Sequence, residues 1–116
     1  MVKYNESLNI SDIMRFIGVD HERTCILETE SGKLFGVISQ GDLIKAMWNG
    51  AELITPIANF VNPNPIYIKE DSKDRENEAI EIFIKYGILL IPVVSEEKKI
   101  IEILSVRKIV SEKYGS

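Results

Sequence analysis

TCILETESGKLFGVISQGDLIKAMW, residues 24–48, lies over LIPVVSEEKKIIEILSVRKIVSEKY, residues 90–114, without a gap. The offset is 66 residues throughout, and it places Glu30 on Glu96, Lys33 on Lys99 and Ser39 on Ser105. Apolar positions coincide as well: Leu34 with Ile100, Val37 with Ile103, Ile38 with Leu104, Leu43 with Ile109 and Ile44 with Val110. Trp48 and Tyr114 align as the aromatic of each final segment. Identities are few, so residue class carries the repeat.

Each copy reads as the same series of elements. Ile10, Ile13, Met14 and Ile17 recur at helical spacing, as do Ala79, Ile80, Phe83 and Ile84. Asp71 and Ser72 are placed to cap the second of these helices, with Asp74, Glu76 and Glu78 suited to the positive end of its dipole. Strands are predicted over 24–29 and 88–94, then polar hairpin turns at 30–33 and 96–99, then strands over 34–39 and 100–105. A closing helix follows, in which Leu43, Ile44, Met47 and Trp48 share a face. Residues 66–69 read as an opening strand, matched by 2–4. A strand–helix–strand crossover requires a parallel pair, and the hairpin adds an antiparallel strand.

The expected fold is therefore α/β (α+β): two βαββα repeats, residues 1–60 and 61–116. Neither small sheet buries a full core alone, so the repeats are expected to pack face to face through their sheets, leaving clefts where they meet. Residues 55–65, TPIANFVNPNP, hold three of the four prolines and keep Ile57, Phe60 and Val61 for packing. That composition makes a stiff, structured joint.

Composition narrows the function classes. The 116 residues are 45% hydrophobic and 28% charged, with mean hydropathy near zero. These are ordinary values for a folded soluble chain. A net charge of −4 argues against nucleic acid or an anionic membrane as the main partner, although the second half carries more of the Lys and Arg. One cysteine and one histidine exclude an internal disulfide and are too few for a structural zinc site. The run from Ile88 to Val94 is too short to span a bilayer, and MVKYNESLNI lacks the apolar core of a signal peptide. A cytoplasmic location is the default.

With Gly36-Val37-Ile38-Ser39-Gln40-Gly41-Asp42 at a strand-to-helix junction and Ile91-Pro92-Val93 in the other copy, the chain resembles a tandem CBS (cystathionine-β-synthase) domain pair, or Bateman module. The family pattern is Gly, a hydrophobic residue, any residue, Ser or Thr, then Asp. The stretch from Gly36 through Gly50, Leu53, Pro56 and Asn62 to Pro65 also resembles CBS pairs attached to sugar-phosphate nucleotidyltransferases. The resemblance implies a regulatory module and homodimer, with an adenosine-type ligand (AMP, ADP, ATP or S-adenosylmethionine) in the cleft between repeats. It also implies that Ser39 and Asp42 hold the ribose, beside Gly36, Thr24 and Ile26, with the adenine between apolar strands.

The residues alone leave two readings open. Gly36 permits close approach of a ligand or of another backbone. Ser39 and Asp42 offer hydrogen bonds to a vicinal diol, and helix N–H groups favour a phosphate. The same two residues are also what N-capping requires. Copy two has Glu102 in place of Gly36 and Lys108 in place of Asp42. A second site at Ile91, Pro92, Ser105 and Lys108 is therefore expected to be degenerate, with Arg107 and Lys108 read as a solvated helix end. His21 reads as a surface loop residue and Cys25 as core packing. No carboxylate pair or Ser/His/Asp set stands at informative spacing, so the chain is read as a non-enzyme. The competing class is a ligand-free structural or dimerisation module.

Overall fold

Helical spacing decides which helix side chains are buried, whereas the central strands bury consecutive residues, Cys25–Leu27 and Ile91–Val94, and so are covered on both faces. The computed structural model describes residues 1–18 and 22–115, with side chains described through residue 113. The expectation for His21 and the aromatic match at Tyr114 lie outside these. The first unit comprises β1 (Val2–Lys3), α1 (Ile10–Gly18), β2 (Thr24–Glu28), β3 (Leu34–Ser39) and α2 (Gln40–Trp48). The second comprises β4 (Ile68–Lys69), α3 (Arg75–Tyr86), β5 (Leu90–Val94), β6 (Ile100–Ser105) and α4 (Val106–Val110), which runs into a π-helical turn over Ser111–Gly115.

The sheets are three-stranded, ordered β1-β2-β3 and β4-β5-β6. β1 pairs parallel with β2 and β4 with β5, while the hairpin partners β3 and β6 are antiparallel. The 66-residue offset extends to the backbone register. Leu27 faces Gly36 as Val93 faces Glu102, Val2 faces Leu27 as Ile68 faces Val93, and the register shifts once, after Leu27 and after Val93. The architecture is thus mixed α/β with two small sheets, and each unit has its own core.

In the first unit Ile10, Ile13 and Ile17 of α1 pack on Cys25 and Leu27 of β2, Ile38 of β3, and Leu43 and Ala46 of α2. In the second, Ala79 and Phe83 of α3 pack on Ile68, Ile91, Val93 and Ile109.

Four expectations need correction. The units divide after Pro65, not after residue 60. The cause is Asn62, whose N–H donates to the Val37 carbonyl at 2.8 Å and whose carbonyl accepts the Val37 N–H at 3.1 Å. That exchange extends the first sheet along the outer edge of β3 and holds the joint on the first unit. Asp74, not Asp71 or Ser72, caps α3: its Oδ1 accepts the Asn77 N–H at 3.1 Å, while the Ser72 hydroxyl bonds Glu78. β2 and β5 each begin or end one to two residues inside the predicted run. Finally, the apolar face of α2 is split. Leu43 is buried, but Ile44 is 57% and Trp48 89% exposed.

Candidate functional site

β3 ends and α2 begins at Ser39, whose extended backbone (φ −105°, ψ 165°) lets its side chain fold over the helix start. Its Oγ accepts the Asp42 N–H at 3.2 Å. In return, Asp42 Oδ2 accepts the Ser39 N–H at 2.8 Å and the Ser39 O–H at 2.9 Å. This is a capping box closed by aspartate, and such a cap contributes about 1 kcal/mol. Both bonds fall on one carboxylate oxygen. Among the described residues nothing bonds Asp42 Oδ1, and the residue is only partly buried. Capping therefore occupies one oxygen of the side chain and leaves the other open.

The remaining expected residues divide. Thr24 lies opposite Ser39 across the ladder, and Ile26 lies opposite Val37. Strand alternation puts these four on one face of the sheet, the reverse of the face where Cys25, Leu27 and Ile38 meet the helices. Ile26 is buried without joining that helix-side cluster. Gly36 belongs to the helix-side face. A Cβ there would lie 2.5 Å from Val61 Cγ1 and 2.6 Å from the Asn62 carbonyl oxygen. Of the two close approaches the sequence left open, the chain's own backbone makes one, so the glycine admits the joint.

Sequence reasoning missed Arg23. Its backbone is left-handed, with φ 55°, and its carbonyl accepts the Gln40 N–H at 3.0 Å. Two of the first three amides of α2, those of Gln40 and Asp42, are therefore already bonded. The only advance sign was Arg23's place next to a strand start, and no side-chain type forecasts a positive φ at an arginine.

The second unit repeats the frame without the carboxylate. Ser105 Oγ accepts the Lys108 N–H at 3.0 Å, and the Leu89 carbonyl accepts the Val106 N–H at 3.1 Å. Lys108 has no acceptor to return, so half the box is missing. Ile91 is in the core, and Pro92 is buried opposite Ile103. Glu102 is exposed and pairs with Arg75 at 3.7 Å. A cavity of about 460 Å³ lies at the other end of this sheet, between the end of β4 and the hairpin, with Tyr67, Lys69, Glu70, Asp71, Glu96 and Lys98 on its walls. Among the described residues no group of His, Cys, Asp and Glu is placed to hold a metal, and no helix is long and apolar enough to cross a membrane.

Comparison with known proteins bears on this frame. The magnesium transporter MgtE of Thermus thermophilus is 30% identical over 110 residues, covering 90% of this chain and 23% of the transporter. The chain thus spans about a quarter of that relative. The cytosolic domain of the Mg2+ channel MgtE in complex with ATP superposes with a TM-score of 0.72 at 25% identity, covering 96% of this chain and 44% of that one. A CBS domain protein from Pyrobaculum aerophilum complexed with AMP superposes with a TM-score of 0.76 at 19% identity, covering 98% and 86%. The family model for the CBS domain matches residues 57–115, just over half of the chain. With its doubled β-α-β-β-α frame, the chain belongs to the CBS domain family.

Proposed function

We propose that this chain is a regulatory module that holds the ribose of an adenine nucleotide (AMP, ADP or ATP) or of S-adenosylmethionine at the β3–α2 junction of its first unit. The observation that carries the reading is the division of labour in Asp42. Oδ2 is fixed by Ser39, which orients the carboxylate, and Oδ1 is left to accept a ribose hydroxyl. The apolar Ile26 and the Thr24 hydroxyl on the same sheet face would flank the base. AMP and ATP in the complexes of similar proteins support the ligand class. In this reading the second unit, with Lys108 for the carboxylate, supplies a degenerate site at Ser105, Ile91 and Pro92 or none.

Occupancy stabilises whichever conformation binds better, by about 2.7 kcal/mol when the ligand is at a hundred times its Kd. A partner that reads that conformation would be the regulated element. The resemblance over Gly36 through Asp42, Gly50, Leu53, Pro56 and Asn62 to Pro65 points to a sugar-phosphate nucleotidyltransferase, whereas the similarity to MgtE points to a transport protein. Co-purification of the chain with a candidate of each kind, with and without nucleotide, separates the two.

A second reading is a ligand-free structural module. The observation favouring it is that the Ser39 hydroxyl, Asp42 Oδ2 and Gly36 all have partners within the first unit. A thermal-shift panel with AMP, ADP, ATP and S-adenosylmethionine decides between them. Stabilisation by one or more supports the regulatory reading; no shift with any of them overturns it.

A further inference from the structure

We propose that the cavity at the hairpin end of the second sheet binds a small zwitterion of the α-amino acid class, its carboxylate on Lys69 and Lys98 and its ammonium among Glu70, Asp71 and Glu96. The wall residues all belong to the second unit, at the end of the sheet away from Ser105, so the inference does not rest on the ligand reading at Asp42.

The cavity has a volume of about 460 Å³, within the range of about 300–1,000 Å³ usual for small-molecule pockets. Ile68 of β4 belongs to the helix-side core, so alternation puts its neighbours Tyr67 and Lys69 on the reverse face. Lys98 reaches the same wall from the hairpin, its ammonium 5.7 Å from the centre of the Tyr67 ring. Val94, the register partner of Lys69, is buried and gives the cavity an apolar patch. Two ammonium groups, an aromatic ring and an aliphatic side chain therefore share one recess.

The 66-residue offset shows which of these features the fold does not require. Lys3, the counterpart of Lys69, is fully engaged: its Nζ pairs with Glu28 at 3.4 Å and donates to the Glu30 carbonyl at 3.2 Å. Val94 stands in place of Glu28, and among the described residues Lys69 has neither an ion pair nor a hydrogen bond. Lys98 stands in place of Gly32 and holds a φ of 67°, a conformation that side chains disfavour and glycine adopts freely. Glu70, on the cavity wall, stands where Tyr4 stacks on Phe35 with ring centres 4.0 Å apart. The second unit thus gives up an ion pair, an aromatic stack and an easy turn, and each exchange adds a charge to the recess or frees one there.

The balance of charge selects the ligand class. A polyanion would meet the carboxylates of Glu70, Asp71 and Glu96, and a simple cation would meet two ammonium groups, so neither sign alone fits the walls. An α-amino acid carries both charges on one carbon, and its side chain would lie on Tyr67 and Val94.

The test is a thermal-shift screen of the full chain against the standard amino acids, followed by calorimetric titration of those that stabilise it. At least one amino acid should bind, and its N-acetyl and carboxamide derivatives, each lacking one of the two charges, should bind about 10-fold or more weakly. Lys69→Gln should weaken binding by a similar factor. Lys98→Gly should do so too, while raising the melting temperature of the free protein by relieving the left-handed turn. A rise in stability together with a loss of binding is a result that a purely structural Lys98 would not give. No stabilisation by any amino acid overturns the proposal. Equal affinity for the N-acetyl derivative, or wild-type affinity in both lysine variants, also overturns it.

Discussion

The β3–α2 turn of the first unit and the β6–α4 turn of the second share a pattern of backbone hydrogen bonds and differ in the residues at two telling positions, Gly36 against Glu102 and Asp42 against Lys108. In both, a serine hydroxyl takes the amide three residues on, and the carbonyl of the residue just before the hairpin's first strand takes the amide that follows the serine. At the first turn Asp42 answers the serine and Gly36 admits the joint. At the second, Lys108 answers nothing and Glu102 faces solvent beside Arg75. The fold therefore tolerates either set of residues, and the shared serine is structural. What distinguishes the turns is a carboxylate oxygen beyond the needs of the cap, and that surplus is the ground for placing a ligand at the first unit alone.

The largest break in the comparison should come from Gly36→Ala. The added carbon meets Val61 and the Asn62 backbone, so we expect a loss of about 1–3 kcal/mol in chemical denaturation. Glu102→Gly, the reverse exchange at the matching position, should cost at most about 1 kcal/mol, from glycine's strand penalty and an exposed ion pair. An equal loss at both positions would mean the joint does not press on β3.

Next in size is the cap. Ser39→Ala removes both bonds of the hydroxyl, the one accepted from the Asp42 N–H and the one donated to Asp42 Oδ2, and should cost about 1–2 kcal/mol, whereas Ser105→Ala removes one bond and should cost about 0.5–1 kcal/mol. Hydrogen exchange in α2 and α4 reads the two separately. Lys108→Asp should move the second turn toward the first, completing the box and raising stability by about 0.5–1 kcal/mol. Unchanged protection of α4 in that variant would show that a five-residue helix gains nothing from a full box.

The smallest expected effect concerns the hairpin loops. Gly32 (φ 85°) and Lys98 (φ 67°) occupy the same left-handed position, which glycine adopts without strain. Lys98→Gly should raise the melting temperature slightly, for a gain of about 0.5 kcal/mol. The Lys98 ammonium, 5.7 Å from the centre of the Tyr67 ring, offsets part of it.

Much of this frame was legible in the residues because both sheet and repeat are encoded by class. Apolar runs over 34–39 and 100–105, each behind a polar turn, predict β3 and β6 to the residue, and the gapless 66-residue offset predicts matched registers. Three features were not legible, for physical reasons. Helical spacing puts Leu43, Ile44, Met47 and Trp48 on one stripe but does not set how wide a strip the sheet covers. The reach of Asn62 to Val37 spans 25 residues, so no local pattern announces it. Asp71, Ser72 and Asp74 are all competent caps, and backbone geometry chooses among them. At the site itself, capping and ribose binding call for the same side-chain types, so only the geometry could show that the cap engages a single Asp42 oxygen.

The most direct measurement is calorimetric titration of AMP into the wild type and Asp42→Asn. Asparagine keeps an oxygen to accept the Ser39 N–H but replaces the surplus acceptor with an NH2 donor. We expect binding to the wild type, its loss in the variant, and melting temperatures within about 2 °C of each other without ligand, as a conserved cap requires. Equal AMP affinity in both proteins would contradict the claim that Asp42 holds the helix with one oxygen and the ligand with the other.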